Sequence, residues 1–202
     1  MVFKIGYALV WPIFHILFPF KVIGREKLQG HSKGYVVCAN HISFLDPVYI
    51  IYAKKRKNRI FFMAKQELFE KKLFAWFFKN VGAFPVNRGV GASSGIKTAE
   101  TILANGQTLG VFPEGTRSKD GKIGKAKAGA AMLVSGFDTY VLPVTLICKN
   151  QKVRPFRPMT IVVGDPVYMP PKSEEWSQRE YLRICTAEIM KPIQEGLERY
   201  GK

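Results

Sequence analysis

The amino-acid sequence predicts an α/β fold: a mostly parallel sheet flanked by helices, preceded by an N-terminal membrane-associating helix. Three observations carry this. Short apolar, β-prone runs alternate with stretches of helical pattern along the chain. Three polar clusters each follow directly on one of those runs. And the residues between Lys4 and Lys21 carry no formal charge.

The runs at 35–39, 59–64, 82–86, 108–112, 140–147 and 159–164 read as strands, being rich in Val, Ile and Phe and bounded by polar or turn residues. Between them, helices are expected at about 47–55, 68–79, 93–105 and 125–135. A last helix begins near Ser177, where Ser177 and Glu180 have capping-box spacing. Pro192 is expected to kink or shorten it. Two intervening loops, 119–128 and 149–158, are polar and rich in lysine and arginine. There is no internal repeat and no long linker, so residues 24–202 are read as a single domain after an apolar segment at 1–23.

Within it, the uncharged run from 5 to 20, between Lys4 and Lys21, is apolar around its whole circumference, unlike a surface helix of a soluble protein. It is shorter than the ~20 residues a membrane span needs, and Pro12 and Pro19 interrupt it. No small-residue cleavage site follows. The expectation is a helix dipping into one leaflet at the cytoplasmic face, with Trp11 and the flanking lysines at the headgroups; the alternative is a buried core helix. The segment 68–79, which mixes aromatics with lysines, fits either a headgroup boundary or an ordinary amphipathic helix.

Thirty-one basic residues against 15 acidic ones give a net charge of +16 in 202 residues. Such an excess calls for an anionic partner: anionic lipid, nucleic acid, or an acidic substrate such as a coenzyme A thioester or acyl carrier protein. The three cysteines, Cys38, Cys148 and Cys185, are odd in number and lack CxxC spacing, which argues against a disulfide framework or structural zinc. Cys38 lies three residues before His41, but no second Cys or His pair completes a metal site, and His15 and His31 lie upstream.

The polar clusters are NHISFLDP at 40–47, VNRG at 86–89 and PEGTRS at 113–118. In an open parallel sheet the carboxyl ends of the strands form the ligand-binding edge, so clusters far apart in sequence are expected to meet there. His41 can accept a proton from a hydroxyl, and Asp46 on its other nitrogen would fix the tautomer. Taken alone, the first cluster leaves two readings open: a base with its orienting acid, or a loop histidine beside an N-cap at the start of a helix from Pro47. Arg88 and Arg117 carry forked donors suited to phosphate. Gly115 and Thr116 sit where backbone N–H groups could face an anion.

Here a resemblance adds to the residues. NHISFLD is similar to the NHxxxxD motif of the glycerolipid acyltransferase family, GAFPVNRG to its second motif, FPEGTRS to its third and VLPVTL to its fourth, in order and spanning 40–146. The resemblance implies that His41 is the general base and Asp46 its orienting acid. It implies that Arg88 and Arg117 bind the acceptor phosphate, and that Glu114, Gly115 and Thr116 shape that end of the site. Pro143 and Val144 would line an acyl or thioester channel, and Lys127 and Gly129 could add phosphate contacts, although a solvated lysine is the favoured reading of Lys127. The implied reaction is acyl transfer from acyl-CoA or acyl carrier protein to a lysophospholipid at an anionic membrane surface, without a cofactor; glycerol-3-phosphate or another lysolipid are the alternative acceptors.

Two further motif matches fail. Residues 91–95 match G-x-S-x-G, but every histidine precedes Ser93, the reverse of the hydrolase order, so Ser93 or Ser94 reads as a helix cap. GTRSKDGKI approaches a P-loop with one residue too many and Ile123 in place of Ser/Thr. A basic nucleic-acid-binding module is the rival class, but RNP, KH, zinc-finger and basic-zipper signatures are absent from the sequence.

Overall fold

The computed structural model describes residues 12–29, 31, 33–54, 59–80, 82–86, 92–118, 120–137 and 139–201. Residues 12–17 are helical (α1). Seven strands follow, β1 (Phe20–Ile23), β2 (Val36–Ala39), β3 (Ile60–Lys65), β4 (Ala83–Val86), β5 (Thr108–Val111), β6 (Val141–Ile147) and β7 (Met159–Val163), with helices α2 (Asp46–Lys54), α3 (Lys72–Asn80), α4 (Ala92–Ala104), α5 (Gly129–Ser135) and α6 (Gln178–Tyr200). They form one sheet in the order β1-β7-β6-β2-β5-β3-β4. The block from β6 to β4 is parallel, β7 runs antiparallel to β6, and β1 is parallel to β7.

The central strands are the ones whose sequences lack alternation. β2 and β6 are buried at every position, as strands covered on both faces must be. Val37 and Ala39 pack with α1 and α2 on one face; Val36 and Cys38 pack with α4, α5 and α6 on the other. All three cysteines are buried and free. α6 lays Tyr181, Cys185, Ile189, Met190 and Ile193 on the sheet at helical spacing.

Six expected strands and the helices between them are present, with boundaries moved by a few residues. Two expectations are corrected. Residues 20–23, read as the end of the apolar segment, form the edge strand β1 paired with β7, and Phe14 is buried against Tyr49 and Tyr52 of α2. The apolar run therefore contributes in part to the core, while residues 1–11 lie outside the described residues. Among the described residues no helix is long and apolar enough to cross a membrane. Pro192 does not shorten α6, which runs 23 residues from its Ser177–Glu180 capping box, because the burial of its inner face outweighs one lost hydrogen bond.

At the edge of the sheet where the parallel strands begin, Lys54 is buried (4% exposed), donating to Thr108 Oγ1 at 2.8 Å with its ammonium 4.5 Å from the Tyr35 ring centroid. Burial lowers its pKa from 10.5 to about 8. Between those values the unfolded chain binds the proton that the folded chain gives up, so this group makes stability rise with pH across the window. The drop is equivalent to about 3 kcal/mol. The difference in unfolding free energy between wild type and Lys54→Met, measured by denaturant titration from pH 7.5 to 10.5, should therefore slope by up to that amount in the wild type's favour. A difference that stays flat would show that the lysine is not desolvated.

Candidate active site

The parallel strands deliver their carboxyl ends to one edge, and adjacent β2 and β5 place the first and third polar clusters side by side there. The chain leaves β2 through Asn40, a buried residue whose Nδ2 donates to Leu146 O at 2.9 Å and whose Oδ1 accepts from Leu146 N at 2.7 Å. Asn40 thus acts as a substitute backbone, tying the end of β2 to β6 and fixing where the next residue points.

That residue is His41. Its Nδ1 lies 2.8 Å from Asp46 Oδ2; the carboxylate is fully buried and the imidazole 17% exposed. Against a carboxylate Nδ1 carries the proton, which leaves the Nε2 lone pair for an incoming hydroxyl. Nε2 has no hydrogen-bond partner among the described residues. Oδ2 also accepts from the backbone N–H groups of Ile42 and Ser43, each at 2.7 Å. The expected N-cap role is corrected here: Asp46 is the first residue of α2, and its carboxylate turns back to the preceding loop rather than forward to the helix. Burial pushes its pKa above the ordinary carboxylate value, and the His41 ring and the Ser43 and Ile42 amides pull in the other direction.

Phe112 covers one face of the imidazole, with ring centroids 4.0 Å apart at 15°, and Phe62 stacks on Phe112 at 5.6 Å. A Cβ at Gly110 would lie 2.2 Å from the Phe62 ring, so glycine at that position is what seats this stack. The third cluster is then stitched to the first. Glu114, buried to 4%, accepts from His41 N at 2.8 Å through Oε1 and from Gly124 N at 2.7 Å through Oε2. Ser118 N donates to His41 O at 2.8 Å. Gly115 turns the loop at φ 70°, with its N–H on Phe112 O at 2.9 Å, and a side chain there would press on Lys127.

Thr116 and Arg117 are exposed at the end of that turn. Arg117, with Ser118, Lys152 and Arg154, lines a cleft of about 320 Å³ whose other wall includes Ile42 and Ser43. Arg88 lies outside the described residues; the strand before it, β4, stands three places from β2, roughly 14 Å at ~4.8 Å per strand. Pro143 and Val144 are buried inside β6, within the sheet. The sequence reading did not single out Asn40 as a brace or Phe112 as a cover for the ring. Their positions, one next to His41 and the other two before Glu114, were the available signal.

A buried carboxylate holding an imidazole whose outer nitrogen has no partner among the described residues, at the carboxyl edge of an α/β sheet, is an arrangement that can serve as a general base toward a hydroxyl or a water. A family model described as Acyltransferase matches residues 19–147, and the chain belongs to that family. Similar curated proteins include the 1-acyl-sn-glycerol-3-phosphate acyltransferase of Bacillus subtilis, 37% identical over 120 residues covering 56% of this chain and 59% of that protein. The enzyme of the same name from Streptococcus pneumoniae is 35% identical over 121 residues, covering 59% of this chain and 44% of that protein. The chain thus spans about half the length of these curated relatives. The crystal structure of the 1-acyl-sn-glycerophosphate acyltransferase of Thermotoga maritima superposes with a TM-score of 0.69 at 24% identity, over 96% of this chain and 79% of that one, and shares its fold.

Proposed function

We propose that this chain transfers a fatty acyl group from an acyl thioester to the sn-2 hydroxyl of 1-acyl-glycerol-3-phosphate, giving phosphatidic acid. The observation that carries the reading is the His41–Asp46 pair, 2.8 Å apart, with Nε2 lacking a partner among the described residues and a cationic cleft beginning at the neighbouring Ile42 and Ser43. The names of the similar proteins point to the same acceptor. In the reaction the acceptor hydroxyl gives its proton to His41 Nε2 as its oxygen attacks the thioester carbonyl. Asp46 stabilises the imidazolium that forms. The tetrahedral intermediate then collapses: the carbon–sulfur bond breaks, and the imidazolium returns the proton to the departing thiolate. General-base help of this kind contributes ~10²–10⁴-fold. Glu114 acts through His41 by holding its backbone, and Arg117 takes the acceptor phosphate together with Arg88. Coenzyme A and acyl carrier protein both fit as donor carriers.

The acceptor lives in a bilayer, and the face around the site suits one. Ile13 and Ile16 of α1 are 62% and 68% exposed, Phe44 next to the dyad 71%, and Phe156, whose N–H binds Leu17 O, 68%. Lys149, Lys152, Arg154 and Arg157, in the same loop as Phe156, are exposed. An apolar rim with basic neighbours supports docking on an anionic leaflet from the cytoplasmic side.

The test is an acceptor panel. The purified chain is given 1-acyl-glycerol-3-phosphate, glycerol-3-phosphate and lysolipids with other headgroups, with labelled acyl-CoA or acyl carrier protein, and products are read by mass. Phosphatidic acid should form fastest, and Arg117→Ala should raise the acceptor KM roughly tenfold while sparing the thioester KM. Label appearing only on glycerol-3-phosphate, or only on another lysolipid, would replace the acceptor named here.

A further inference from the structure

The loop between β6 and β7 lies beyond residue 147, where the family match ends, and outside all four motifs. We propose that its Lys152 and Arg154 join Arg117 to hold the acceptor's phosphate monoester, and that they set the preference for this doubly charged headgroup. The inference rests on the acyl-transfer reading above and deepens it.

The geometry begins with the backbone. Asn150 and Gln151 are consecutive left-handed residues, at φ 57° and 50°, a conformation that side chains other than glycine seldom adopt. Gln151 N is held on Cys148 O at 2.9 Å, and its side chain packs on Gly121, where a Cβ would sit 2.5 Å from Gln151 Cβ. This reversal carries Lys152 and Arg154 over the sheet edge to the cleft that Arg117 and Ser118 line from the third cluster. Three cations from two loops therefore share one wall-to-wall space.

None of the three has an ion pair among the described residues. The nearby carboxylates are taken: Glu114 by two backbone N–H groups, and Asp120 Oδ1 by Ser118 Oγ and Lys122 N. Like charges gathered without a counter-charge repel one another and favour a bound anion. The size also selects. About 320 Å³ is at the low end of the ~300–1,000 Å³ of small-molecule pockets, room for a glycerol phosphate headgroup but not for two acyl chains. The position fits the substrate: the phosphate ester sits on the carbon beside the one bearing the acceptor hydroxyl, and Ile42 and Ser43 of the cleft wall directly follow His41. A monoester carries nearly twice the charge of a diester headgroup, so three cations discriminate between them where one would do so weakly.

The double variant Lys152→Ala/Arg154→Ala tests this in the full chain. Both side chains are exposed, so the melting temperature should hold. The acceptor KM for 1-acyl-glycerol-3-phosphate should rise at least ~tenfold, the thioester KM should stay within about twofold, and Lys152→Arg/Arg154→Lys should restore most of the affinity. Arg183→Ala/Lys191→Ala on α6 removes the same charge away from the cleft and should leave the acceptor KM unchanged. An unchanged acceptor KM in the cleft variant, an effect on the thioester alone, or an equal loss in the α6 control would each overturn the proposal. Should the wild type not acylate 1-acyl-glycerol-3-phosphate at all, the acceptor reading falls separately. Saturable binding of glycerol-3-phosphate, followed by phosphorus NMR, then decides the cleft: binding lost in the double variant upholds the phosphate site, and no binding to the wild type overturns it.

Discussion

Alanine in place of His41 is expected to abolish acyl transfer, a loss of at least ~10²–10⁴-fold, in a protein that still folds. The separation of the two effects follows from what His41 does with its backbone and with its ring. Its N–H and C=O hold Glu114 and Ser118, and alanine keeps both bonds. Only the imidazole is lost, and with it the lone pair at Nε2. Asp46→Asn should fall short of that loss but still reach orders of magnitude. Asparagine with its oxygen in the Oδ2 position still accepts from the Ile42 and Ser43 amides and from Nδ1, but, being neutral, it stabilises the imidazolium far less; turned the other way, its NH2 would face three donors and favour the wrong tautomer. Turnover measured on purified variants with native circular dichroism checks both. Near-normal turnover in folded His41→Ala would remove the histidine from the chemistry. If transfer is direct, as proposed, no variant should accumulate an acyl-enzyme at Ser93 or Ser94, and intact-mass measurement after mixing with thioester alone reads this.

What was legible in the sequence was local or heavily buried. The His41–Asp46 pair sits within six residues, so the motif contains the whole geometry of the dyad. β2 and β6 announced themselves as unbroken apolar runs because both of their faces are covered. β1 was hidden for the same chemical reason: its four residues end a longer apolar run, and composition alone cannot separate an edge strand from a segment meant for lipid. Pro192 does not shorten α6 because a local rule about helix interiors is outweighed by packing that only the tertiary structure supplies. Lys152 and Arg154 read as two charges in a solvated loop; their relation to Arg117 depends on a backbone reversal at Asn150 and Gln151 that no pattern of residue types encodes.

Glu114 shows the same limit most sharply, and it carries the second large expected effect. A carboxylate in a motif loop invites a role facing substrate, but its two oxygens are spent on His41 N and Gly124 N, and the residue is 4% exposed. Glu114→Ala strands the N–H of half-buried His41, at ~1–3 kcal/mol, leaves the N–H of exposed Gly124 to water, and releases the loop that leads to α5 from the residue that carries the base. A loss of about 1–3 kcal/mol in unfolding free energy and a fall of ~10–100-fold in kcat are expected together, since a base displaced by a fraction of an ångström is a poorer base. Glu114→Gln isolates the cause. It has the same shape but only one acceptor oxygen, so its NH2 must face one of the two donors; it should be intermediate in both stability and kcat. Glu114→Asp keeps both oxygens on a shorter stem that cannot reach both amides, and should resemble alanine more than glutamine. In all three the acceptor KM should move little. If instead the acceptor KM rises while kcat and the melting temperature hold, Glu114 contacts the glycerol backbone of the substrate and is no brace.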